Sequence, residues 1–447
     1  MRYLLLSLLA FALFSCEDDN DIPLNQQLEE AVDPDAVTLY DRAVVYNEDL
    51  VEQGYYLFQP VGASNTYLLS TEGAVVYKWP GDKAYFMAYL REDGVLARIY
   101  RPDVGTGWNL GGQQGFVEFV DETSTVLNSY SVSSFERTLH HDIAFLPNGN
   151  YLTTVWNRIS DVQAIEWGRN LAFLPDGEMY MDQIQEVDPS GAVVWEWNSW
   201  DHLVQDFDAS KANFGNVQAN PQLWDMNAVV HPNVHHFNGI NYDPVRDLIL
   251  VSSRANSEVY VIDHSTTMAE AATSSGGNQG MGGDIVYRWG NPQQWDNGTE
   301  ADRKLFMQHD ANPVMNSTSN GLEFTVFNNV FGTDISAVQR VVLPLDASGM
   351  LLDRSQLATN SPSDASYTYS STAIYSSRVS GAMSLSPTSL AITNGVPARI
   401  SEVDESVGVI LELDVSDAAD LFKARKYTST FPGLPSNLAV LPAEDLD

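Results

Sequence analysis

Five of the chain's eight histidines fall in three short segments, and chemistry is to be sought there first. One segment reads Leu139-His140-His141-Asp142-Ile143 and runs on through Phe145-Leu146-Pro147-Asn148-Gly149-Asn150-Tyr151. A second reads Asn233-Val234-His235-His236-Phe237-Asn238-Gly239-Ile240 and continues as Asn241-Tyr242-Asp243-Pro244. The third is Phe306-Met307-Gln308-His309-Asp310-Ala311. In each, histidine opens a strand-like run that ends in a turn. A neutral imidazole is a competent nucleophile near pH 7, and a protonated one donates hydrogen bonds to an anion. Eighteen residues beyond His236, Arg254 follows the apolar run Leu248–Val251 and Ser252-Ser253. Guanidinium matches planar arrays of oxygens, which makes Arg254 a candidate anion clamp.

Plainer readings compete with these. A lone histidine at a strand start is often a hydrogen-bonded structural residue, and Arg254 could pair with one of many carboxylates. Three histidines could also hold Zn²⁺ with an open fourth position. No HxH or HxxxH spacing pre-forms two ligands, however, and a neighbouring arginine would repel the cation. His202, His231 and His264 lack a comparable context and read as structural or surface residues.

The elements that must position these residues are short strands and turns. Arg91-Glu92-Asp93-Gly94, Leu146-Pro147-Asn148-Gly149, Leu174-Pro175-Asp176-Gly177 and Asp188-Pro189-Ser190-Gly191 all place glycine where a tight turn needs it. A strand pattern recurs as Gly73-Ala-Val-Val-Tyr-Lys-Trp79, Gly191-Ala-Val-Val-Trp-Glu-Trp197 and Gly283-Asp-Ile-Val-Tyr-Arg-Trp289. A degenerate copy starts at Gly408 and ends at Asp414. Repeated strand units without long amphipathic helices predict an all-β chain folded as a β-propeller, with six blades as the expected count. The inner strand of each blade lines the central channel, so three blades opening with histidine would aim three imidazoles at one mouth. Strand alternation would let only one of each His-His pair face it. The clearest helical candidate is Asp417–Ala424.

The first residues look like a targeting segment. Arg2 precedes the apolar run Tyr3–Phe14, and Leu13-Phe14-Ser15-Cys16 resembles a lipobox. Residues 1–15 are therefore expected to be a lipoprotein signal peptide and Cys16 the lipidated residue. Residues 16–35 would form an acidic tether and 36–447 the propeller. The chain would then be exported and lipid-anchored in the cell envelope. Cys16 is the only cysteine, so no intramolecular disulfide can form. The net charge of −36, from 59 acidic against 23 basic residues, argues against nucleic acid as a partner. It also means that an anionic substrate needs a locally concentrated group of Arg and His.

In these segments the sequence resembles the bacterial aryl-sulfate sulfotransferases. The likeness rests on His141-Asp142 with its Pro-Asn-Gly-Asn turn, on His236-x-Asn238 leading to Tyr242-Asp243-Pro244, and on Ser252-Ser253-Arg254. Gln308-His309 and the closing Ala424-Arg425-Lys426-Tyr427 with Phe431-Pro432-Gly433-Leu434 complete it. The resemblance implies a six-bladed propeller that moves a sulfuryl group from a phenolic sulfate ester to a phenol, with no nucleotide, metal or other cofactor. It implies His309 as the nucleophile that forms a sulfohistidine. His141, His236 and Arg254 would hold the sulfuryl oxygens, with Asn238 beside them. Trp156, Phe237 and Tyr242 could wall an aromatic substrate, and Tyr242 joins Asn238 as a substrate-binding candidate. The sequence departs from the family at Pro232-Asn233-Val234-His235 and at Ala255-Asn256, after the arginine. A sulfatase-like hydrolase and a non-catalytic surface propeller binding a sulfated or anionic ligand are the alternatives. The oligomeric state is not legible.

Overall fold

The computed structural model describes residues 39–442 apart from 103–104, 316, 318, 320, 348–349 and 352–363. The expected signal peptide, Cys16 and the acidic tether lie outside the described residues. Six antiparallel sheets form the six blades, in agreement with the sequence expectation. Blade I pairs Leu421–Thr428, Gly54–Pro60, Thr66–Ser70 and Val75–Trp79, from the inside outward. Blade II begins at Tyr85–Leu90, blade III at Arg137–Phe145, blade IV at Phe237–Asp243, blade V at His309–Pro313 and blade VI at Gly381–Ser386. Between neighbouring blades lies one apolar cluster per junction. The junction of blades III and IV, for example, buries Leu152, Ile184, Trp197, Ile249 and Val251.

The repeated strand pattern now has a place. Val75–Trp79, Val193–Asn198, Tyr287–Trp289 and Gly408–Asp414 are each the fourth strand of a blade. Gly191, which enters one of them, has φ +86°, a conformation that glycine adopts without steric cost.

The ring closes twice. The C-terminal strand Leu421–Thr428 supplies the inner strand of blade I, where Tyr56 pairs with Lys426. The N-proximal strand Ala43–Tyr46 adds a fifth strand to the outer edge of blade VI. The helix expected over Asp417–Ala424 does not form; a turn leads directly into the closing strand. Local helix propensity yields there to a ladder that fills the open edge of blade I and buries Leu421 and Phe422.

Antiparallel order fixes which end of the channel holds what. Links between blades, and turns between second and third strands, emerge at one face; first-to-second and third-to-fourth turns emerge at the other. The long segments 105–115, 161–177, 199–236 and 290–308 belong to the first face. So do the start of His309–Pro313 and the residue preceding Phe237–Asp243.

One buried ionic network then ties all the blades together. Lys423 Nζ of blade I lies 2.6 Å from Asp142 of blade III and 2.8 Å from Asp310 of blade V, and all three side chains are fully buried. Arg425 grips Asp310 with two bonds of 3.0 and 3.1 Å. Asp142 also accepts from Tyr89 of blade II at 2.7 Å and from the Ile240 amide of blade IV at 2.9 Å. Asp310 accepts from the Ala382 amide of blade VI. Two carboxylates and two cations balance, as buried charge requires.

Candidate active site

His309 is the first residue of its strand and is buried. Its Nδ1 lies 2.7 Å from Asn329 Oδ1. The Asn329 amide cannot turn round, because its Nδ2 donates to the carbonyls of Ser376 and Val379 at 2.9 and 3.0 Å. The oxygen must therefore accept, and His309 carries its proton on Nδ1. Its Nε2 keeps a free lone pair. Burial, helped by Arg254 and Lys423 and opposed by Asn329 and Asp310, holds the imidazole down at about 3. At neutral pH it is uncharged.

His141 and His236 stand together, with ring centroids 4.7 Å apart. Both adopt positive φ, 52° and 53°, and His141 sits in a bulge of its strand. The ring of Trp156 approaches each of them at 5.6 Å from behind; it is fully buried with His140 stacked on it, so it does not form the aromatic wall expected of it. The alternation rule separates His235 from its neighbour: it packs in the core against Trp224 and Phe237. It does not separate His140, because the bulge lets His140 Nδ1 lie 2.9 Å from His141 Nδ1. Gly112, at φ +83°, abuts the opposite edge of His141; a Cβ there would lie 1.9 Å from Nε2.

Arg254 occupies the turn between the second and third strands of blade IV, and its amide donates to the His236 carbonyl. Among the described residues its guanidinium makes one hydrogen-bond contact, to the Met307 sulfur at 3.5 Å, and no ion pair with a carboxylate. Burial pulls it below its ordinary value. In so acidic a chain, an arginine beside three histidines with no carboxylate partner among the described residues has the chemistry to take an exogenous anion. His141 and His236, like His309, are held below the ordinary histidine value, by burial first; His236 comes next for His141 and Arg254 next for His236.

Asn238 is fully buried and donates to the Gln308 carbonyl at 2.8 Å, which fastens the residue before His309 to blade IV. Tyr242 is not brought to the histidines. It lies at the far end of its strand, roughly 20 Å from His236 at 3.3 Å per residue, where its hydroxyl donates to Asp247. Phe237 packs in the core with Trp197 and Tyr260. His202 is buried between Asp284 and the Ala271 carbonyl, and His264 bridges Asp247 and Glu186. A cavity of about 650 Å³ opens at the face opposite the histidines, lined by Phe145, Tyr242, Tyr427 and Phe431. No group of three His, Cys, Asp or Glu among the described residues converges as a metal-holding set.

Asn329, Gly112, Asp182 and the Asp142–Lys423–Asp310–Arg425 network escaped the sequence reading. A signal for the last existed: the dipeptide His-Asp stands at both His141-Asp142 and His309-Asp310.

The buried imidazoles make the fold acid-sensitive. His141, His235, His236 and His309 are all held low, His235 at about 4, in each case chiefly by burial. As pH falls through about 6.5 the unfolded chain protonates at these positions and the folded chain does not, so stability declines toward about pH 4. Each histidine contributes a slope of up to about 1.4 kcal/mol per pH unit. His264 acts in the opposite sense. Burial opposes its charge, but Glu186 and Asp247 raise it, so its contribution is lost as pH rises. Four outweigh one. Urea midpoints are expected to fall between pH 6.5 and 4.5, and His235→Leu to flatten that fall; a midpoint constant over the window would contradict the assignment.

The family model described as Arylsulfotransferase (ASST) matches residues 41–340, a span that includes His141, His236, Arg254 and His309. No curated protein matches the chain. Solved structures similar in outline include a protein of unknown function from Bacteroides caccae, at 11% identity and a TM-score of 0.44 over 84% of this chain and 99% of that one. The Cps50 (Swd1) β-propeller domain of Myceliophteria thermophila is similar at 12% identity and a TM-score of 0.39, over 81% and 86%.

Proposed function

The chain belongs to the arylsulfotransferase family, and from that premise we propose that it moves a sulfuryl group from a phenolic sulfate ester to a phenol through a sulfohistidine on His309, without nucleotide sulfate. The observation that carries the proposal is the fixed tautomer of His309: a neutral imidazole with Nε2 free, next to an arginine with no carboxylate partner among the described residues.

The Nε2 lone pair attacks sulfur, the sulfur–oxygen bond to the aryl group breaks, and its electron pair leaves with the phenolate. A phenol oxygen then attacks the same sulfur, the nitrogen–sulfur bond breaks, and its pair returns to Nε2. Charge in such transfers sits on the equatorial oxygens, as in phosphoryl transfer, and catalysis is mostly positioning and electrostatic stabilisation. Arg254 supplies the fixed positive charge. His236 and His141 line the same space, and Trp156, fully buried under His140 and Trp108, packs behind them. Asn238 acts from behind, by holding the Gln308 carbonyl. Tyr242, at the other end of the channel, has no part in these steps. The first sixteen residues support export with a lipid on Cys16, which would present the site outside the cytoplasm.

Gly112→Ala is expected to lower kcat/KM by about 10²-fold, the usual cost of misplacing a reacting group by an ångström, because the new methyl group must displace His141. The melting curve serves as the control; unchanged kinetics would show that His141 need not sit where it does.

The test of function is p-nitrophenol release from p-nitrophenyl sulfate by the purified protein, with and without added phenol. Release that rises with phenol, accompanied by phenyl sulfate, supports the transferase. Release indifferent to phenol would make the protein a hydrolase. Binding of the ester without release would make it an anion-binding propeller.

A further inference from the structure

Behind His141 lies a second, wholly buried layer. His140 Nε2 is 3.0 Å from Asp182 Oδ1, with neither side chain exposed to solvent. The same oxygen accepts from the Phe237 amide, which fixes the carboxylate. The His140 ring stacks on Trp156 with centroids 4.1 Å apart and planes 7° from parallel. Its Nδ1 faces His141 Nδ1 at 2.9 Å.

The proton positions follow from the donors available. The Asp182 carboxylate, 3.0 Å away, draws the His140 hydrogen to Nε2 as an ion-pair contact rather than an aligned hydrogen bond, and leaves Nδ1 as a lone pair. The Thr154 hydroxyl donates to the His140 carbonyl at 2.6 Å and leaves that lone pair to its neighbour. His141 must therefore carry its hydrogen on Nδ1. Its Nε2 is then a lone pair at the edge where Gly112 has no side chain. Asp182, His140 and His141 form a chain, one ion-pair contact followed by one hydrogen bond, that ends in a base.

We propose that this chain is a proton relay for the acceptor: His141 Nε2 takes the proton of the incoming phenol, and His140 and Asp182 stabilise the imidazolium that results. This rests on the transferase reading and deepens it. As the phenol oxygen forms its bond to sulfur, its proton passes to His141 Nε2, and the sulfur–nitrogen pair returns to His309. The positive charge on His141 is shared through Nδ1–H to His140 and balanced by the Asp182 carboxylate. The proton later leaves to water or to a departing phenolate. His140 and Asp182 never touch the substrate; they are positioning residues, as the acid of a Ser-His-Asp triad is for its imidazole.

A base helps only an acceptor that has a proton to lose. A phenol near pKa 10 is protonated at neutral pH, whereas pentafluorophenol is ionised. With p-nitrophenyl sulfate as donor, Asp182→Asn is expected to slow transfer to phenol by about 10²-fold, within the range of general-base effects. Transfer to pentafluorophenol should fall at least tenfold less. His140→Phe, which can keep the stack on Trp156 but lacks the ring nitrogens, should show the same dependence on acceptor, and it decides the matter if Asp182→Asn does not fold. Equal losses for both acceptors, or no loss, would overturn the relay while leaving the transferase standing. A wild-type protein that transfers to neither acceptor would remove both.

Discussion

Replacing His309 with alanine is expected to lower sulfuryl transfer from p-nitrophenyl sulfate by about 10⁴-fold or more, the scale seen when a covalent nucleophile is removed. No other imidazole in the site stands in its position. His141 has one nitrogen engaged with His140, and His236 has its Nδ1 2.8 Å from Asn233 Nδ2. The loss should exceed that from His236→Ala, which removes a stabilising donor worth about 10²–10³-fold. The fold should survive, because His309 makes one side-chain hydrogen bond and Asn329 keeps its two others. A wild-type-like melting curve with initial-rate kinetics would check both points. A loss no larger than that of His236→Ala would mean that the phenol attacks the donor ester directly.

The second large effect falls on stability. Lys423→Met is expected to cost about 3–5 kcal/mol, the usual result of removing one partner from a buried ionic group. The lost charge leaves two buried carboxylates, Asp142 and Asp310, facing one cation, Arg425. Burial alone would raise the Asp310 carboxyl, but Arg425 and Lys423 outweigh it and hold it well below the ordinary range. Domains are stable by only about 5–15 kcal/mol, so the variant should melt far below the wild type. Asp142→Asn added to Lys423→Met should recover part of the loss, because it removes the charge left uncompensated. Urea denaturation of the two variants checks this; a single variant as stable as the wild type would show that the network does not close the ring.

The architecture was legible because it is written locally. Turn glycines and the repeated outer-strand pattern each lie within a few residues, and they specify a blade without reference to the rest of the chain. His141, His236, Arg254 and His309 were legible for a similar reason: His236, Arg254 and His309 stand at strand ends and His141 in a bulge, each in a segment that carries a recognisable turn. What the sequence hid depends on distance or on broken alternation. Lys423 meets Asp142 across 281 positions, and the segment that carries it reads as helix until the open edge of blade I is seen to need a strand. Alternation assigns a face but not an end, so Tyr242 looked like a neighbour of His236 though the strand carries it to the opposite mouth. The bulge at His141 defeats alternation altogether and brings His140 into the chemistry as its partner. The His-Asp dipeptides joined the two levels, since each places an imidazole at the mouth and a carboxylate in the network beneath it.

The most direct test of the central claim is the mass of the His309 peptide after the protein is mixed with p-nitrophenyl sulfate alone, quenched in alkali and digested. The sulfohistidine account predicts one added sulfuryl group on that peptide, lost when phenol is added before the quench. Phenyl sulfate formed with no adduct on His309, or with the adduct on another residue, would contradict it.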